Sequence, residues 1–173
     1  LHNVANALAA LAMGEALRLS ATSMLEELEE FTGLPHRMQW VADVKGVHYL
    51  NDSKGTNVGA TLAAVAGLAG PLIVIVGGDG KGQDFAPLAA AFAGKVRLAI
   101  LIGQDAEAIA AVLVSVCDVQ RSDTLEQAVS AAARAASSGD TVLLSPACAS
   151  FDMFRDYAHR GSVFTAAVKE LAA

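Results

Sequence analysis

Charge, sulfur and aromatic residues are all scarce in this sequence of 173 residues. Only 17% of it is charged, and 18 acidic residues outnumber 12 basic ones, giving a formal net charge of −6. General nucleic-acid binding needs a basic stripe to neutralise phosphates, so that class is excluded. A small anionic ligand is not excluded, because a few Lys, Arg and backbone N–H groups suffice to hold one. The two cysteines, Cys117 and Cys148, are too few and too far apart for a disulfide framework or a zinc site, and a reduced intracellular compartment is the simplest reading. No apolar run is long enough to cross a bilayer: the uncharged stretch from Gly55 to Gly78 is broken by Gly67, Gly70 and Pro71 into a helix-like and a strand-like piece. The N-terminus, Leu1-His2-Asn3, has no basic segment ahead of an apolar core, so no signal peptide is read there. It also lacks an initiator Met, which leads us to expect a piece of a longer protein.

What is present is a 54% hydrophobic chain, which rules out a disordered or collagen-like polymer. A chain of this length forms one large domain, or one domain with an appendage, and buries roughly 70% of its surface. Leu1 to Leu19 carries a helical pattern, and Ser23-Met24-Leu25-Glu26 fits a capping box opening a short helix to Phe31. Gly33 and Pro35 end that helix. Met38–Val44 and Val47–Asn51 read as a hairpin around Lys45-Gly46, packed by Trp40 and Tyr49. Helices follow at Val58–Leu68, Phe85–Phe92, Ala106–Leu113, Thr124–Ala136 (capped by Ser122 or Asp123) and Gly161–Leu171. Strands are expected at Leu72–Val76, Leu98–Ile102, Val116–Val119 and Thr141–Leu144. Segments such as LIVIV and LAILI are apolar on both faces, as in a parallel sheet covered by helices on both sides. The reading is an α/β fold: a doubly wound, mostly parallel Rossmann-like sheet preceded by N-terminal helices.

In open α/β sheets, ligands bind at the carboxyl ends of the strands. Three polar segments take that position: Asn51 to Asn57, Gly77 to Gly82 and Ser145 to Ser150. Each precedes a helix, so helix N–H groups and dipoles face one rim and favour an anion. GGDGKG fits neither the G-x-x-x-x-G-K-[ST] spacing, because Gly82 follows Lys81, nor G-x-G-x-x-G. It reads equally well as a tight turn with Lys81 in solvent, or as a point charge beside bare backbone donors suited to carboxylate or phosphate. Asp52, Ser53, Lys54 and Thr56 are ordinary turn and cap residues taken alone; sharing a rim with Lys81 and Ser150 is what favours a functional role. Asn3 and Asn6 share one helix face, which is either solvated or bonded to a ligand. His2 reads as a surface or capping residue, Glu26 to Glu30 as a solvated face, and Cys148 as a small buried thiol.

The segments HNVANALAA, GLPHRMQWV, NDSKGTNVGAT, GGDGKGQDF and LLSPACASFDMFRDYAHRG, in this order, resemble the C-terminal portion of the Mur ligase family across essentially the whole chain. The DSKGTN segment is similar to the branch that adds D-glutamate. The resemblance implies an ATP-dependent amide-forming ligase of peptidoglycan synthesis, and hence of cell-wall biogenesis, cell shape and division. It implies that residues 1–35 are the terminal helices and linker of a central ATPase domain, and residues 36–173 the C-terminal, glutamate-binding domain. By the same resemblance, Asn3, Asn6, Arg37, Asp52 and Lys54 would serve the nucleotide. Thr56, Lys81, Ser150, Phe151 and Tyr157 would serve D-glutamate. The implied substrates are ATP, D-glutamate and UDP-N-acetylmuramoyl-L-alanine, with Mg²⁺ held mainly by the central domain. The setting is a monomer in the bacterial cytoplasm, with no nucleic-acid partner and no membrane insertion.

The implied reaction makes an acyl phosphate from the substrate carboxylate and ATP. The D-glutamate amine then attacks it, and phosphate leaves a tetrahedral intermediate. No Walker-type loop is present in these residues, and no catalytic residue or metal ligand is assigned within them. The expectation is therefore a chain that folds but lacks ligase activity alone. The alternative is a stand-alone nucleotide- or anion-binding module reusing the fold.

Overall fold

In a computed structural model the described residues are 2–172, and the side chains of His2 and Asn3 lie outside the described part. The chain divides into two units, Leu1–Leu34 and Pro35–Ala173.

The first unit is a pair of helices, α1 (His2–Ala16) and α2 (Ala21–Glu30). Gly14 lets them approach, since a Cβ there would overlap the Met24 side chain. Helix α1 stops short of the expected Leu19, because Arg18 turns into the left-handed region at φ 59°. Ser20, not Ser23, caps α2: its side chain accepts from Ser23 N, so the expected capping residue lies within the first turn.

The second unit builds on three central strands, at Leu72–Gly77, Val96–Ile102 and Thr141–Leu144, whose side chains are buried on both faces. Strands β1 (Gln39–Val44) and β2 (Val47–Asn51) form the expected antiparallel hairpin, with Lys45 and Gly46 both at positive φ in its turn. Then come α3 (Val58–Ala66), β3 (Leu72–Gly77), α4 (Ala86–Phe92), β4 (Val96–Ile102), α5 (Ala106–Leu113), β5 (Asp118–Arg121), α6 (Leu125–Ala135), β6 (Thr141–Leu144) and α7 (Tyr157–Ala172). The six-stranded sheet runs β1-β2-β6-β3-β4-β5, with every pairing after β1–β2 parallel. Leu72, Val74 and Val76 face one core, with residues of α3, α4 and α5; Ile73 and Ile75 face the other, with α6 and α7. The chain therefore leaves β3 toward one face and β6 toward the other. That divergence makes the gap between β3 and β6 the topological switch point.

Further local expectations need correction in this second unit. Trp40 does not pack the hairpin; it is exposed beside a bulge and donates from Nε1 to Asp43 at 3.3 Å, while Tyr49 is buried as expected. Strand β5 begins at Asp118, because Val116 N and Cys117 N bond back to Leu113 O and close the turn after α5. The cap of α6 is Thr124, whose hydroxyl accepts from Gln127 N, while Gln127 Oε1 accepts from Asp123 N. Helix α7 starts a turn before Gly161, where Asp156 accepts from His159 N at 2.7 Å.

Candidate functional site

The loop after β2 is held by the side chains that made it conspicuous. Asp52 is buried; it accepts from Met38 N at 3.2 Å and from Ser145 Oγ at 2.9 Å. Burial raises its pKa, against the opposing pull of those two hydrogen bonds and the nearby charge of Arg37. Ser53 Oγ donates to Tyr157 O at 2.7 Å. Lys54 N donates to His36 O at 3.0 Å, and the Lys54 ammonium lies 4.0 Å from the Tyr157 ring centroid. Thr56 is half-buried, and Asn57 caps α3 by accepting from Ala60 N.

The glycine-rich loop leaves β3 through Gly77 and Gly78, both at strongly positive φ. A Cβ on Gly78 would collide with Ala149 O, so only glycine admits the close approach of the two loops. There Asp79 and Ala149 form an isolated antiparallel bridge, with N–O distances of 3.1 and 2.8 Å, across the switch point. Asp105 accepts from Gly80 N at 2.6 Å and donates its own N–H to Gly78 O at 3.0 Å. Lys81 is exposed at φ 53°, its N–H held by Asp79 Oδ1, and its ammonium lies 5.5 Å from the centroid of the exposed Phe151 ring.

The loop after β6 is buried from Ser145 to Ser150. Burial, reinforced by the charge of Asp105, pushes the Cys148 thiol up to about 12, so it is an inert packing group. Ser150 O accepts from Met153 N and Phe154 N, turning the chain toward α7.

Of the residues singled out in the sequence, the rim brings Lys81 to Phe151, Lys54 to Tyr157 and Arg37 near Asp52. The Lys54–Tyr157 contact joins a residue expected for the nucleotide to one expected for glutamate. Thr56 and Ser150 sit on the same rim, and among the described residues no hydrogen bond joins their side chains to Lys81. Asn6 is exposed on α1, and the Asn3 side chain lies outside the described residues.

Arg160 was missed. It is fully buried and donates to Ser53 Oγ, Ser53 O, Cys148 O and Ala149 O, tying the first loop to the third. Desolvation lowers its pKa to about 10, which leaves it charged at neutral pH. The available signal was a basic residue directly before Gly161, within a motif otherwise assigned to ligand contact. A recess of about 450 Å³ lies beside the rim, lined by Gly103, Gln104, Arg121, Asp123 and Asp152. It sits at the ends of β4 and β5, and neither Lys81 nor Thr56 lines it. Among the described residues no group of three His, Cys, Asp or Glu side chains could hold a metal ion.

A doubly wound sheet whose polar loops gather at the carboxyl ends of its strands defines an α/β domain of the Rossmann-like class. Residues 36–148 match the model of the Mur ligase glutamate ligase domain, and the chain belongs to that family. It is 59% identical to the UDP-N-acetylmuramoylalanine–D-glutamate ligase of Thiobacillus denitrificans, over all of this chain and 37% of that protein. It is 55% identical to the ligase of the same name from Pseudomonas savastanoi, over 99% of this chain and 39% of that one. The chain thus spans under two-fifths of the length of the curated relatives it matches. Among solved structures, the UDP-N-acetylmuramate–alanine ligase of Thermotoga maritima superposes with a TM-score of 0.70 at 17% identity, over 98% of this chain and 38% of that one. A bifunctional folylpolyglutamate synthase/dihydrofolate synthase from Yersinia pestis does so at 0.64 and 20% identity, over 86% of this chain and 34% of that one. Both share the fold.

Proposed function

We propose that this chain is the C-terminal part of an ATP-dependent ligase that adds D-glutamate to UDP-N-acetylmuramoyl-L-alanine. In this reading residues 1–35 end a central ATPase domain and residues 36–173 bind the incoming amino acid. The observation that carries it is the Lys81 ammonium beside Phe151, on the rim that also bears Thr56 and Ser150. High identity to ligases of that name supports it. D-Glutamate has two carboxylates, and a lysine with hydroxyl and backbone donors at helix N-termini suits them. Tyr157 completes the pocket, and Lys54, on its ring face, serves the nucleotide. Asp52, Arg37, Asn3 and Asn6 serve ATP.

The domain's contribution is to orient the D-glutamate amine toward the acyl phosphate and to exclude water from it. Nucleophilic attack forms the C–N bond, and collapse of the tetrahedral intermediate expels phosphate. Mg²⁺ is assigned mainly to the central ATPase domain, where the resemblance to the family puts its ligands. The working form is a cytoplasmic monomer.

Lys81→Ala in the full-length enzyme should lower kcat/KM for D-glutamate on the order of 10²-fold. Near-normal kinetics for D-glutamate would remove Lys81 from the site. The 173-residue chain alone should release no ADP from ATP with D-glutamate present, measured by coupled assay; D-glutamate-dependent release would contradict the division of labour.

A further inference from the structure

Gln83 belongs to the glycine-rich segment, yet it has no part in the site assembled above. Its side chain is half-buried two residues beyond Lys81, and both ends of its amide are engaged. Oε1 accepts from Val58 N at 2.9 Å, and Nε2 donates to Ala147 O at 2.7 Å. The amide orientation is fixed by these partners, since the reverse would set donor against donor. Val58 opens α3 directly after Thr56 and Asn57, and Ala147 stands three residues before Ser150. One planar group of fixed length therefore spans all three rim loops.

The other ties each join two loops. Asp79 and Ala149 join the second to the third, and Arg160 joins the first to the third. Among the described residues, the Gln83–Val58 bond is the one hydrogen bond running from the glycine-rich loop to the start of α3. Without it, no hydrogen bond among the described residues fixes the separation of Thr56 from Lys81 directly, and it is left to core packing of α3 on α4 and to the loop after β6.

We propose that Gln83 is a positioning residue that sets the distance between Thr56 and Lys81, and with it the length of dicarboxylate the rim accepts. This rests on the reading of the rim as the D-glutamate site. A displacement well under the length of one C–C bond separates a productive carboxylate pose from a poor one, so a loosened loop costs affinity for the acid first.

The test uses the full-length enzyme with D-glutamate varied at saturating ATP and UDP-N-acetylmuramoyl-L-alanine, and with D-aspartate as a shorter diacid. Gln83→Met keeps the length and bulk while removing both hydrogen bonds, and Gln83→Ala removes the side chain. Both should raise the KM for D-glutamate about tenfold, with kcat within about twofold and the KM for ATP unchanged. The kcat/KM for D-aspartate relative to D-glutamate should rise. The proposal is overturned by a parental KM and a parental D-aspartate ratio. It is equally overturned if the KM values of all three substrates rise together with a fall in Tm, or if neither variant folds, because Gln83 is then only a scaffold residue. Lys81→Ala run alongside separates the two ideas. If it raises the D-glutamate KM and the Gln83 variants do not, Gln83 alone is misassigned; if it leaves that KM unchanged, the rim itself is misread.

Discussion

At the scale of single residues, the rim depends on polar groups taken out of water and given partners. Asp52 illustrates the energetics. Its folded-state pKa lies above the ordinary 3.8, chiefly because burial disfavours the carboxylate. A raised acid binds its proton more tightly in the folded state, so its contribution to stability is largest at low pH and falls as pH rises through the folded pKa. Asp52→Asn removes that slope. The asparagine Oδ1 can still accept from Met38 N, and its Nδ2 can donate to Ser145 Oγ, which has a second hydroxyl neighbour in Thr61 Oγ1 at 3.0 Å. Urea midpoints of parent and variant should therefore diverge in the variant's favour between pH 4 and pH 7; a difference that shrinks or reverses with rising pH would contradict the assignment. Arg160 shows what the sequence hides. A charged side chain on a helix reads as solvated, and nothing in its neighbours announces four oxygen acceptors supplied from residues 53, 148 and 149.

Among elements, legibility follows burial. Strands β3, β4 and β6 were readable because both their faces are covered, and a continuous apolar run at that length has few other uses. Helix starts were less readable, because serines, threonines and aspartates cluster at loop ends and each offers a cap. Choosing Thr124 over Ser122 or Asp123 requires knowing where Leu125 meets the core, and Leu125 is fully buried. The cap itself has an ordinary price: Thr124→Ala should cost the chain about 1 kcal/mol, read as a shift in urea midpoint, whereas Ser122→Ala should cost a few tenths. Equal effects at the two positions would argue against the observed cap. The loops that build the site were visible as polar interruptions of the alternation. Their mutual spacing was not, because it depends on contacts such as Gln83 to Val58 between residues 25 positions apart.

At the scale of the molecule, the two units are unequal in what holds them. In the first, Gly14 is the one buried residue among those described, and Val4, Leu8, Met13, Leu17 and Phe31 are exposed. The second has two continuous cores. Hydrogen exchange of the chain should find the amides of residues 4–30 exchanging orders of magnitude faster than those of β3, β4 and β6. Comparable protection in both would show a stabilising contribution that the helix pair does not itself supply. The bridge between Asp79 and Ala149 bears on how such a domain changes over generations. It is made of main-chain groups alone, so the bridge itself asks nothing of the two side chains, which answer to other demands: Asp79 Oδ1 holds Lys81 N, and Ala149 is buried. The constraint falls on Gly77 and Gly78, where any side chain would collide with the backbone opposite. Closure of the sheet is thereby separated from the chemistry at its mouth, and substitutions at the mouth can retune which acid is received while the crevice beneath stays shut.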